Sequence, residues 1–155
     1  EIAFVDVQGR FAVEFEESLT SRVGRGRNVG GATIPAKRFV SHTTDASYED
    51  AIDTCANVSS TARLAGVTAH AIEAGRVGDV HSEGVRPVES TGAEILVGHR
   101  CAVEQSTGRV YSVVTTAPST GANVMTVGVA KTKVASGSAA GTVVMLEIHF
   151  DSVQG

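Results

Sequence analysis

Leucine is nearly missing from this sequence. Four Leu stand against 24 Val in 155 residues, with 15 Thr, 17 Gly, 3 Pro and no Trp. Helices favour Leu over Val, because a β-branched side chain loses rotamer freedom against the preceding turn, whereas the same branching suits a pleated strand. Helical bundles, coiled coils and Leu-rich α/β folds are thereby excluded. No apolar run approaches the ~20 residues a bilayer-spanning helix needs, so no membrane partner is expected. Aromatic residues make up 5% of the chain, too few for base-stacking platforms. Thirteen basic residues against 17 acidic ones leave a net charge of −4, which gives no field for drawing the chain onto nucleic acid. The two cysteines, Cys55 and Cys101, fit no C-x-x-C spacing, and both buried free thiols and a single disulfide are compatible with them. Residues 1–20 carry five carboxylates and no long apolar core, so they do not read as a signal peptide. An all-β soluble chain is what these absences leave.

What is present agrees. Ile2, Phe4, Phe11, Val13 and Phe15 alternate with Asp6, Arg10, Glu14 and Glu16, the period-two pattern of half-buried strands. Residues 18–35 then lose periodicity and carry four glycines and three arginines, as an extended segment does. The expected division is an N-terminal strand and arm over 1–34 and a β-barrel domain over 35–155. One short helix is expected between Ser47 and Asn57, where Ser47 and Asp50 resemble a capping box and Ala51, Ile52, Cys55 and Ala56 share a helical face. From residue 60 onward strand-like runs at 62–72, 76–81, 84–89, 94–97, 100–104, 109–116, 123–130 and 142–150 alternate with turn residues, the spacing of a small barrel or sandwich. An internal echo links Gly66-Val67-Thr68-Ala69, Ala74-Gly75 and Gly78-Asp79-Val80 with Gly128-Val129-Ala130-Lys131, Ser136-Gly137 and Gly141-Thr142-Val143. Both copies are expected at corresponding places in one barrel.

No reaction chemistry is signalled. Gly24-Arg25-Gly26-Arg27-Asn28-Val29-Gly30 misses the dinucleotide fingerprint, because its third glycine is one residue late and no helix pattern follows. A basic arm touching an acidic protein surface is the better reading. His42, His70, His81, His99 and His149 form no ligand pair at short spacing, and no metal or cofactor is expected. His99 and Cys101 would share a strand face, but nothing marks a nucleophile-activating turn or oxyanion hole. The chain is not expected to be an enzyme.

The order of these turns resembles that of the small β-barrel decoration (cement) proteins of tailed-bacteriophage capsids. The motifs that carry it are Leu64-Ala65-Gly66-Val67-Thr68-Ala69 with Ile72-Glu73-Ala74-Gly75 and Gly78-Asp79-Val80; Ala93-Glu94-Ile95-Leu96-Val97-Gly98 with Ser106-Thr107-Gly108-Arg109-Val110; and Val127-Gly128-Val129-Ala130 with Ala135-Ser136-Gly137 and Gly141-Thr142-Val143. The resemblance implies a virion protein on the outer capsid surface that braces major capsid protein subunits, often as a homotrimer. Strand pairing through the N-terminal arm would then supply affinity. Phe4, Phe11 and Phe15 are the candidate anchors, and Arg22, Arg25 and Arg27 the candidate partners for acidic groups. Residues 2–15 completing the protein's own barrel is the competing expectation. A small-ligand or carbohydrate-binding module and a tail or baseplate component are the alternative functions.

Overall fold

A computed structural model describes residues 23–43, 47–54, 64–104, 107–116 and 124–153. Ten strands and no helix occur among them: β1 Val23–Asn28, β2 Phe39–His42, β3 Ala51–Thr54, β4 Leu64–Thr68, β5 Val77–His81, β6 Val85–Glu89, β7 Arg100–Val103, β8 Val110–Ser112, β9 Val124–Ala130 and β10 Val143–Val153. Strands β1 to β5 close into a barrel in the order β1-β3-β2-β4-β5, and β6 to β10 form a second five-stranded sheet in the order β6-β10-β9-β7-β8.

The two sheets are one topology used twice. In each, the first and last strands pair antiparallel over five residue pairs, Val23↔His81 to Arg27↔Val77 and Val85↔Glu147 to Glu89↔Val143. The second and fourth strands slip register once, between Val40 and Ser41 and again between Cys101 and Ala102. The second and third strands start from Val40↔Thr54 in one sheet and Cys101↔Ser112 in the other. Even the parallel seam recurs: Asn28↔Ile52 closes the first barrel, and an isolated bridge Ser90↔Val110 brings β6 to β8. The first core, Ile34, Val40, Ile52, Ile72 and Val80, therefore has a counterpart at every position in the second, namely Ile95, Cys101, Val110, Val134 and Leu146.

The connections repeat as well. Between paired strands the chain makes a single bridge and a tight turn at Ile34-Pro35-Ala36-Lys37, Ile72-Glu73-Ala74-Gly75, Ile95-Leu96-Val97-Gly98 and Val134-Ala135-Ser136-Gly137. The bridges join Ile34 to Ile72 and Ile95 to Val134. The fourth residue of each has positive φ: Gly75 at 79°, Gly98 at 90°, Gly137 at 81° and the non-glycine Lys37 at 61°. The echo at Gly66 and Gly128 has its own cause. Here β4 and β9 press so close to the last strand that a Cβ would collide with the carbonyl of His81 or of Glu147, so only glycine fits.

Three expectations are corrected. The echoing segments occupy corresponding places in two sheets, not in one barrel. Of the short helix expected over Ser47–Asn57, the described part, Ser47–Thr54, is not helical: Ala51–Thr54 is strand β3, paired on one side with β2 and on the other with β1. Burial of Ala51 and Ile52 against two strands outweighs the gain of barely three exposed helical turns, which are marginal alone. Finally, residues 23–34 do not belong to an arm; they supply β1 and the first bridged turn of the closed barrel.

Candidate interaction surfaces

The two units meet at a joint that the repeat itself explains. In the N-terminal unit the parallel seam is zipped: the Arg27 amide donates to the Asp50 carbonyl at 2.8 Å and the Val29 amide to the Ile52 carbonyl at 3.1 Å. In the C-terminal unit the second of these bonds persists, from the Thr91 amide to the Val110 carbonyl at 3.0 Å. The first is replaced. Glu89 and Gly108 stand where Arg27 and Asp50 do, and the turn Lys37–Phe39 has entered between them. The Glu89 amide donates to the Lys37 carbonyl and the Phe39 amide donates to the Gly108 carbonyl, both at 2.9 Å. Two main-chain bonds between units take the place of one within a unit, so the Glu89 amide and the Gly108 carbonyl at the opened seam both stay paired.

Side chains lock the inserted turn. Glu89 Oε1 accepts from Arg38 Nε at 2.8 Å and from Arg109 Nε at 3.2 Å, and Arg38 NH1 also donates to the Thr107 carbonyl at 2.9 Å. Burial pushes the Glu89 carboxyl up, but hydrogen bonds and charge from Arg38 and Arg109 outweigh it and hold the group below its ordinary 4.5. Phe39 and Val67 point out of their own barrel into the second core, and Phe39 meets the Phe150 ring edge-on at 6.3 Å between centroids.

Of the candidate contact residues, Phe4, Phe11, Phe15 and Arg22 lie outside the described residues. Arg25 is exposed on β1 opposite Asp79. Arg27 is engaged within the chain: its guanidinium lies 4.5 Å over the Tyr48 ring, NH1 donates to the Gly75 carbonyl at 3.2 Å, and Nε is 3.9 Å from Asp50. The structure therefore does not present Arg25 and Arg27 as one patch on an arm. Sequence reading gave no role to Glu89, Arg38 or Arg109. The usable signal was the Ile/Val-x-x-Gly turn, present three times, with Lys37 in place of the glycine in a fourth copy.

Cys101 is fully buried, and that burial pushes its thiol up to about 12. The ring of its neighbour His99 has Nδ1 2.9 Å from the hydroxyl of Ser112, the residue paired with Cys101 on β8. No group of three or more His, Cys, Asp or Glu side chains converges as metal ligands do among the described residues. One hollow of about 200 Å³ opens between Gly24, His42, Ala65, Val80 and Ser82. The corresponding positions of the C-terminal unit hold Arg86, Val103, Val127, Leu146 and Ile148, so at four of the five, His42 excepted, the hollow has the smaller residue. It is smaller than the ~300–1,000 Å³ of typical small-molecule sites.

The described residues thus define an all-β protein built of two like five-stranded units in tandem, joined by a turn inserted into a strand seam. Among solved structures it is similar to the N base of the head fibre gp8.5 of bacteriophage phi29, with a TM-score of 0.50 and 17% sequence identity, covering 87% of this chain and 99% of that one. At that identity the likeness establishes the fold. No family model and no curated protein sequence matches the chain.

Proposed function

We propose that the chain is a structural protein of a bacteriophage virion that binds the outer surface of the capsid and braces neighbouring major capsid protein subunits as a homotrimer. One observation carries the reading: over 87% of its length the chain is similar in fold to the base of a phage head fibre. The resemblance of its turn motifs to capsid decoration proteins supports the same role. The described polar groups also suit it, since Glu89, Arg38 and Arg109 are spent on fastening units together rather than on a cleft. The major capsid protein is the partner, and neither nucleic acid, a membrane nor a cofactor is invoked. Attachment is assigned to residues 1–22, where Phe4, Phe11 and Phe15 anchor an added strand and Arg22 meets acidic groups.

Co-sedimentation with expanded capsid shells tests this. The full chain is expected to pellet with shells, and a variant lacking residues 1–22, which keeps the whole of β1, is expected to stay in the supernatant with an unchanged thermal transition. Full binding by the truncated chain removes the attachment role from that segment. Failure of the full chain to bind any shell removes the capsid role.

A further inference from the structure

The internal joint has a donor side and a receiver side, and the repeat places a second copy of each on the surface. The donor is the Lys37–Phe39 turn with the face beside it; its counterpart is the Gly98–Arg100 turn of the C-terminal unit. The receiver is the seam at Glu89 and Thr107–Arg109; its counterpart is the β1/β3 seam flanked by Tyr48, Glu49 and Asp50. We propose that copies of this chain associate head to tail, the Gly98–Arg100 turn of one copy lying on the β1/β3 seam of the next.

Apolar exposure and charge both point to this pairing. Beside the unused donor turn, Leu96 and Val97 are 43% and 64% exposed, two adjacent large apolar side chains at a turn tip where solvent contact is costly. Pro35 and Ala36 hold those positions in the unit whose turn is docked. Next to them Arg100 and His149 line a groove of about 120 Å³ with Thr126 and Val129. Phe39 and Val67, the counterparts of Arg100 and Val129, are buried in the internal joint, so this face carries a cation where the joint has a phenyl ring. The second receiver carries the complement: Tyr48 is 45% exposed with Arg27 over its ring, Asp50 lies 3.9 Å from Arg27 Nε, and Glu49 stands between Tyr48 and Asp50 in the chain. Val97 meets Tyr48, and Arg100 and His149 meet Glu49.

The second joint is shallower than the first. The β1/β3 seam is already zipped by the bond from the Arg27 amide to the Asp50 carbonyl, so the incoming turn lies on the strands instead of parting them. It therefore rests on side chains and is salt-sensitive, in contrast to the main-chain joint within the chain. A head-to-tail contact is heterologous and closes into a ring when its rotation allows. Resting on the trimer reading above, three copies would arrange six like units around one axis, internal and intermolecular joints alternating.

Disulfide trapping tests the geometry, with Cys55 replaced by Ser. Tyr48→Cys protein mixed with Val97→Cys protein is expected to cross-link on mild oxidation, while either variant alone is not. Cross-linking by Val97→Cys alone, or none in an oligomer of defined mass, overturns the proposal. Charge exchange gives a second readout: Glu49→Lys and Arg100→Glu are each expected to weaken self-association about tenfold or more by light scattering, and the pair to restore it. Failure of restoration overturns the assignment of these charges to one contact. A monomer that still pellets with capsid shells overturns the self-contact alone. Cross-linked oligomers that ignore shells keep this contact and overturn the virion reading.

Discussion

Two cores of identical topology show how volume is traded between single residues. Gly26 faces Gly78 across β1 and β5, and Val88 faces Val144 across β6 and β10 at the corresponding places. The second unit thus holds two extra side chains. It makes room by carrying Val110 and Val134 where the first unit has Ile52 and Ile72. The contacts agree: a Cβ at Gly26 would strike the Ile52 side chain, and one at Gly78 the Ile72 side chain. Gly26→Ala is expected to cost about 1–3 kcal/mol by overpacking, and markedly less in an Ile52→Val background. Chemical denaturation of the four proteins checks this, and a cycle with no coupling sinks the volume-exchange argument. Cys101 occupies the place of Val40, so Cys101→Val is expected to change stability by less than about 1.5 kcal/mol. Its thiol, raised to about 12 by burial, is expected to resist alkylation until the protein unfolds.

At the scale of elements, the turns were legible and the closure was not. Strand positions from residue 76 onward could be read from Val alternation and Gly spacing, because both are local consequences of the pleat and of positive φ. The exception is 94–97, where only Ile95 makes a bridge, to Val134. The segment Ser47–Asn57 was misread because a capping pattern is local, whereas pairing of β3 with both β1 and β2 is decided by distant partners. The duplication was half visible. Gly66 and Gly128 announced it, but the repeat of the bridged turn was hidden where Lys37 replaces glycine. That substitution leaves a test. A Lys at φ 61° carries conformational strain that its glycine counterparts escape. Lys37→Gly is expected to stabilise the chain by about 0.5–1 kcal/mol, since the bonds at Lys37 are made by its main chain. A loss of stability would mean that the Lys37 side chain contributes to the joint.

At the scale of the whole molecule, one carboxylate ties residues of its two halves. Glu89 receives both Arg38 and Arg109, and the bonds of its own main chain and of Phe39 hold the inserted turn in the seam. The joint could not be read locally, because Arg38 and Arg109 are 51 and 20 residues from Glu89 in the chain and meet it only through the pairing of distant strands. Its pH dependence follows from the direction of the shift. The folded carboxyl titrates below its ordinary 4.5, so the stability it contributes is fully present above that value and is lost as the pH falls through the lower folded value. His81 adds to the same slope: burial and the charge of Arg86, opposed by Asp79, lower it below 6.5, so stability declines with acid there too. Glu89→Gln separates the two. The neutral amide keeps the shape but loses the charge-assisted bonds, which are worth about 1–3 kcal/mol when partly shielded from water. The variant is expected to be less stable than the parent by that amount at pH 7, with the gap closing below pH 4.5 as the parent's own carboxylate protonates. Thermal melts from pH 3 to 8 give the comparison, and a gap constant across that range would show that Glu89 holds the joint by shape alone.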